Sequence, residues 1–165
     1  MALTVSVGTM TSAESPVQIA TVSPYLAVRT INGRLYAAAS FASGGIVSPP
    51  FMGPPGGPGG PGGPGGGARQ AAAGDALVIQ GIGFGASTPA VSVGQRAPAG
   101  SAVPNVSIRV GDRQATVTSA SLVTGSVGIY QIGFTMPEGV PAGEASIVAS
   151  VDGVVSTQQI LLPTR

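Results

Sequence analysis

The stretch "NVSIRVGDRQATVTSA", residues 105–120, decides how the rest of the chain is read. It reads as two strands, with β-branched residues recurring along both. Gly111-Asp112 joins the two tightly. Downstream, "GIYQIGFTMP" (128–137) reads as a strand, and "EASIVASVDGVVSTQQILL" (144–162) as a hairpin about Asp152-Gly153. Upstream, "ALVIQGIGFG" (76–85) is a buried-strand run ending in glycines. "SPYLAVRT" and "RLYAAASF" flank Asn32-Gly33, two residues that tolerate positive φ and so favour a hairpin turn.

No stretch holds a helical apolar period for three turns, and prolines at 104, 137, 141 and 163 stop strands where a missing N–H would break a ladder. About seven strands between residues 33 and 163, at this spacing, predict an all-β chain: an Ig-like antiparallel β-sandwich over residues 31–163. Residues 1–30 are surplus to that count and form an N-terminal extension. Within it "ALTVSVG" (2–8) sets Leu3, Val5 and Val7 against Thr4, Ser6 and Gly8.

Composition narrows the function. Hydrophobic residues make up 43% and charged residues only 8%, against roughly 25% charged in an ordinary soluble domain. So little charge protects a monomer poorly against association and suits a surface buried against copies of itself. The seven basic residues are all Arg, at 29, 34, 69, 96, 109, 113 and 165, with no stripe to track phosphates, so nucleic acid is not an expected partner. No apolar run approaches the roughly 18 residues of a membrane span. Cysteine is absent, so no disulfide reports on the compartment.

Residues 106–162 resemble the C-terminal domain of many secreted Solibacter-type bacterial proteins, an IPT-type Ig-like sandwich. The likeness rests on "VSIRVG", its "ATV" partner, "GIYQIGFTMPEGVPAG" and the "SVDGVVS" hairpin. The upstream strands "AAASFASGGIVSPP" and "GDALVIQGIGFG" extend it to about residues 31–163. The resemblance implies secretion and an extracellular or cell-surface setting, although residues 1–16 lack the pattern of a signal peptide. It carries no catalytic motif onto this chain.

Where the resemblance leads us to expect a short turn, the chain inserts four Pro-Gly-Gly triplets. Residues 53–67 are therefore read as a loop projecting from the sandwich rather than a linker between domains. Glycine at every third position favours an extended polyproline-II-like course. Pro55, Pro58, Pro61 and Pro64 are the candidate packing or modification points of that loop.

Catalytic chemistry has little to work with. His, Cys and Lys are absent, which removes the usual general base, thiol nucleophile and Schiff-base amine. The six carboxylates, Glu14, Asp75, Asp112, Glu138, Glu144 and Asp152, lack the spacing of a calcium loop and read as turn and solvation groups. "GIGFGA" (81–86) lacks the helix that a dinucleotide fingerprint opens, so its glycines are assigned to a kinked strand end. The sequon at Asn105 reads as a chance occurrence. Six of the seven aromatics, Phe51 excepted, fall in strands and are assigned to the core.

No enzyme, metal site or cofactor is expected. The reading that remains is a structural subunit of an extracellular homopolymeric filament, assembled when Leu3, Val5 and Val7 of one subunit enter a neighbour by strand addition. Its partner is itself, with a glycan as a second candidate. The alternative is a carbohydrate- or protein-binding Ig-like accessory module.

Overall fold

A computed structural model describes residues 2–16, 20–50 and 67–165. Among these the chain is all-β. Four two-residue strands form the N-terminal arm: β1 (Ala2–Leu3), β2 (Ser6–Val7), β3 (Met10–Thr11) and β4 (Ser15–Pro16). Eleven more build the sandwich: β5 (Tyr25–Leu26), β6 (Val28–Ile31), β7 (Arg34–Ala37), β8 (Ala39–Phe41), β9 (Ala76–Ile82), β10 (Val106–Val110), β11 (Arg113–Leu122), β12 (Tyr130–Thr135), β13 (Gly143–Val151), β14 (Val154–Val155) and β15 (Ile160–Thr164).

The strand order is β5-β9-β12-β11-β10-β13-β15-β7-β6, folded into two facing layers, with β8 beside β9 and β14 beside β13. The layers are joined by strands that serve both. In β11, Arg113–Ala115 pair with β10 and Thr116–Leu122 with β12. The change coincides with a register shift between Val117 and Ser119, a bulge of the kind that lets a strand turn a corner. On the other side the chain crosses layers at Ala27, between β5 and β6, and again at Ala38, between β7 and β8. The Ala27 N–H donates to the Gln80 carbonyl in one layer, and its carbonyl accepts the Ala38 N–H in the other.

The core lies between the layers and follows from alternation. In β9 Leu77 and Ile79 are buried; in β13 Ala145, Ile147, Ala149 and Val151 are. Ile132 and Phe134 from β12 meet Ile108 and Val110 from β10 in the same apolar cluster. Seven strand runs from residue 34 onward match the expectation, two of them divided in two. The expected boundary at residue 31 moves to Tyr25, because the Asn32-Gly33 hairpin brings β6, and β5 ahead of it, into the ladders.

The Gly/Pro run, with Pro55, Pro58, Pro61 and Pro64, falls largely outside the described residues, but its stem is well defined. The Ser48 N–H donates to the Arg69 carbonyl at 3.0 Å, and the Arg69 N–H to the Ile46 carbonyl at 3.2 Å. The Arg69 guanidinium stacks 3.7 Å above the Phe41 ring and grips Asp75 through two bonds of 2.6 and 2.9 Å. Because the stem closes on its own contacts, exchanging residues 53–66 for a Gly/Ser stretch of equal length is expected to leave the sandwich folded, with Tm within about 2 °C by calorimetry.

That grip has a pH signature. The Arg69 bond, helped by the Ala72 N–H and opposed by burial, holds the Asp75 carboxyl below its ordinary value of 3.8. A carboxylate depressed in the folded state stabilises fully above the unfolded value and ceases to do so as pH falls through the folded one. Asp75→Asn is therefore expected to cost about 1 kcal/mol, since the pair is partly solvated. The deficit should stay constant between pH 5 and 8 and shrink below about pH 3.8 in parallel thermal melts. A deficit unchanged at pH 2 would show that Asp75 acts by shape alone.

Candidate subunit interface

The arm is a hairpin of its own. Val7 pairs with Met10 and Ser6 with Thr11 across Gly8-Thr9, and Leu3 with Ser15 and Ala2 with Pro16 further back. Gly8 has φ +60 and Thr9 does not, the asymmetry of a type II′ turn with glycine first. The Ser12 N–H closes on the Val5 carbonyl at 2.9 Å and Ser12 Oγ accepts the Val5 N–H at 3.0 Å. Residues 2–8 thus find a partner inside the arm. "MTSAESP" lacks alternation, and only the two residues between Val7 and Met10 signalled the turn.

The hairpin is amphipathic, and its apolar side is bare. Leu3, Val5 and Val7 share one face by the two-residue period, and Met10 joins them opposite Val7. Their exposures are 56%, 59%, 76% and 78%. The other face carries a Ser6–Thr11 hydroxyl bond of 2.9 Å. A lone two-stranded ribbon is marginal in water, and one that also exposes four large apolar side chains gains by covering them.

The sandwich's strand order ends at β5 and β6, and the two ends are treated differently. At β5 the residue whose backbone groups point away from β9 is Leu26, its side chain being buried. The Gln158 side chain pairs with it as a strand would: Oε1 accepts the Leu26 N–H at 2.6 Å and Nε2 donates to the Leu26 carbonyl at 3.0 Å. At β6 the two-residue turn closes on Ile31–Arg34, so Ile31 and Arg29 exchange ladder bonds with β7. Val28 and Thr30 then direct their N–H and C=O groups away from it. No backbone partner for those four groups exists among the described residues.

Along β5 and β9 lies a shallow apolar groove of about 250 Å³, lined by Tyr25, Ala27, Gln80, Gly81, Ile82 and Ile129. Tyr25, assigned to the core from sequence, is 48% exposed, because β5 sits at the end of the sheet and the ring faces out. Tyr36, Phe41, Phe84, Tyr130 and Phe134 are buried as expected, and Phe51 lies outside the described residues.

The carboxylates are dispersed. Glu144 accepts from Arg34 at 2.5 Å and from the Tyr36 hydroxyl, and that second bond pushes the Tyr36 phenol above its usual range. Asp152 Oδ1 accepts from Asn105 Nδ2 at 2.7 Å, which engages the sequon's amide nitrogen. No three acidic groups converge as a metal site among the described residues. Nor, among the described residues, is any helix long and apolar enough to cross a membrane.

The layered sandwich agrees with a family comparison, in which the model of the IPT/TIG domain matches residues 69–164. This chain belongs to the IPT/TIG family. The IPT/TIG domain is a non-catalytic Ig-like module of general use, found often in extracellular or surface proteins. The matched region begins at the stem of the Gly/Pro run, so the arm and β5–β8 lie outside it. Comparison with curated proteins and with solved structures yields no match.

Proposed function

We propose that this IPT/TIG chain, of the kind found in secreted Solibacter-type proteins, is the structural subunit of an extracellular homopolymeric filament. Residues 1–30 supply the donor, now narrowed to the hairpin of residues 2–16, and strand addition joins successive subunits. The observation that carries this reading is the bare apolar face of Leu3, Val5, Val7 and Met10 on a ribbon with no core of its own. Head-to-tail addition whose rotation does not close into a ring yields an open fibre. The low overall charge is compatible with such close self-association.

Negative-stain microscopy and size-exclusion of the purified chain test the proposal. Fibres from the intact chain and monomers from a chain lacking residues 2–16 are expected. An intact chain that stays monomeric at high concentration would overturn it. That outcome would favour an accessory binding module, for which the groove beside Tyr25 is the observation in hand.

A further inference from the structure

The geometry points to the β6 edge of a second copy as the acceptor of the arm, with the donor strand added parallel to β6. The inference rests on the filament reading and goes beyond it by naming the acceptor and the direction of pairing.

Three observations converge on this edge. First, of the two ends of the strand order, β5 is already closed by the Gln158 amide, whereas β6 presents the backbone groups of Val28 and Thr30 outward. Second, the arm offers a matching row. Val7–Met10 and Val5–Ser12 take the inward bonds of the hairpin, so Ser6, and by alternation Thr4, direct their backbone groups to its outer side. Two residues at i and i+2 on the donor therefore face two at i and i+2 on the acceptor. Third, the charges are complementary. Glu14 is the arm's one ionisable side chain, and Arg29 on β6 has no carboxylate partner among the described residues, whereas Arg34 is already paired with Glu144.

Side-chain phase then selects the direction. Val28 packs against the core, and by alternation Thr30 shares its side of β6, exposed at the rim of the sandwich opposite Leu35. In an antiparallel addition each outward-bonding acceptor residue sits directly opposite an outward-bonding donor residue. That would put Thr4 and Ser6 on the inner face and leave Leu3, Val5 and Val7 on the outer one. In a parallel addition an acceptor residue bonds to the two donor residues flanking its opposite number. Thr4 and Ser6 then flank Val5, which stands beside Val28 or Thr30 with Leu3 and Val7 on the same inner face. Only the parallel arrangement covers the arm's apolar side chains next to Val28 and the 43%-exposed Leu35. The sheet already holds one parallel junction, β15 with β7.

Thr30→Pro tests the acceptor directly. It removes an N–H that points away from β7, so the β6–β7 ladder survives while the outer edge is blocked. The variant should match the parent in circular dichroism and Tm but form no fibres. Added below stoichiometry to intact chain it should cap growing ends, because its donor arm is unaltered. Mixed with chain lacking residues 2–16, it should stop at a one-to-one dimer. Amide exchange of assembled wild-type chain gives a readout independent of any variant: the Val28 and Thr30 amides should exchange about 100-fold more slowly in fibres than in monomer. Fibres from folded Thr30→Pro chain, or rapid exchange at both amides within wild-type fibres, would overturn the β6 assignment and leave the filament reading standing. Absence of fibres from the wild-type chain overturns both.

Discussion

Replacing Val5 by aspartate is expected to abolish polymerisation and leave a folded, soluble monomer. Val5 is 59% exposed in the single subunit, so the new carboxylate costs the isolated chain little. In the assembly it would lie against an apolar face. Each covered valine contributes about 1.5–3 kcal/mol, and an unpaired buried carboxylate adds a penalty of several kcal/mol more. At about 1.4 kcal/mol per factor of ten, the critical concentration should rise at least about 1,000-fold. Ser6→Asp makes the internal comparison. Ser6 lies on the opposite face, where its hydroxyl meets that of Thr11 at 2.9 Å, and a carboxylate there can accept the same bond. It should polymerise like the parent. Sedimentation of both variants across a concentration series decides the matter, and equal behaviour of the two would remove the apolar face from the mechanism.

The largest effect on the subunit itself is expected from Gly83→Ala. Gly83 has φ +76, and a β-carbon there would lie 2.0 Å from the Ser23 carbonyl oxygen. The same glycine accepts the Ser23 N–H at 2.9 Å, so neither backbone can withdraw without losing a bond. Left-handed strain and a backbone collision together should cost about 3 kcal/mol or more in urea unfolding. Gly8→Ala in the arm turn, with a similar φ of +60 but open space around it, should cost only the conformational part. A Gly83→Ala protein as stable as the parent would mean that residues 21–24 do not bear on β9.

These two sites mark how far the sequence could be read. Turn chemistry was legible: Asn32 and Gly33 have φ of 49 and 77, and Asp152 and Gly153 have 49 and 81, the paired positive values that their side chains tolerate. The strands themselves were legible, and the structure shows in β9, β10 and β13 the alternating burial that the two-residue period requires. The glycines of "GIGFG" were recognised as a strand end, but not as the bed on which residues 23–25 lie. The crossings at Ala27 and Ala38 left no trace, because a strand that changes layers keeps its alternation and reads as one run. Gln158 was equally invisible, since its partner Leu26 lies 132 residues away and a glutamine in "STQQI" reads as solvated. The apolar face of Leu3, Val5 and Val7 was legible from period alone. Its self-pairing was not, and the open β6 edge became evident only from the full strand order.

The crossing at Ala27 also has a mechanical meaning. A tensile load entering ahead of β5 arrives at a residue bonded to both layers at once, through Gln80 on one side and Ala38 on the other. The β5–β9 and β6–β7 ladders lie on either side of that point, so the pull divides between them and acts along the strands. Rungs loaded in this way must rupture together rather than peel one by one. A subunit gripped there resists extension as a whole.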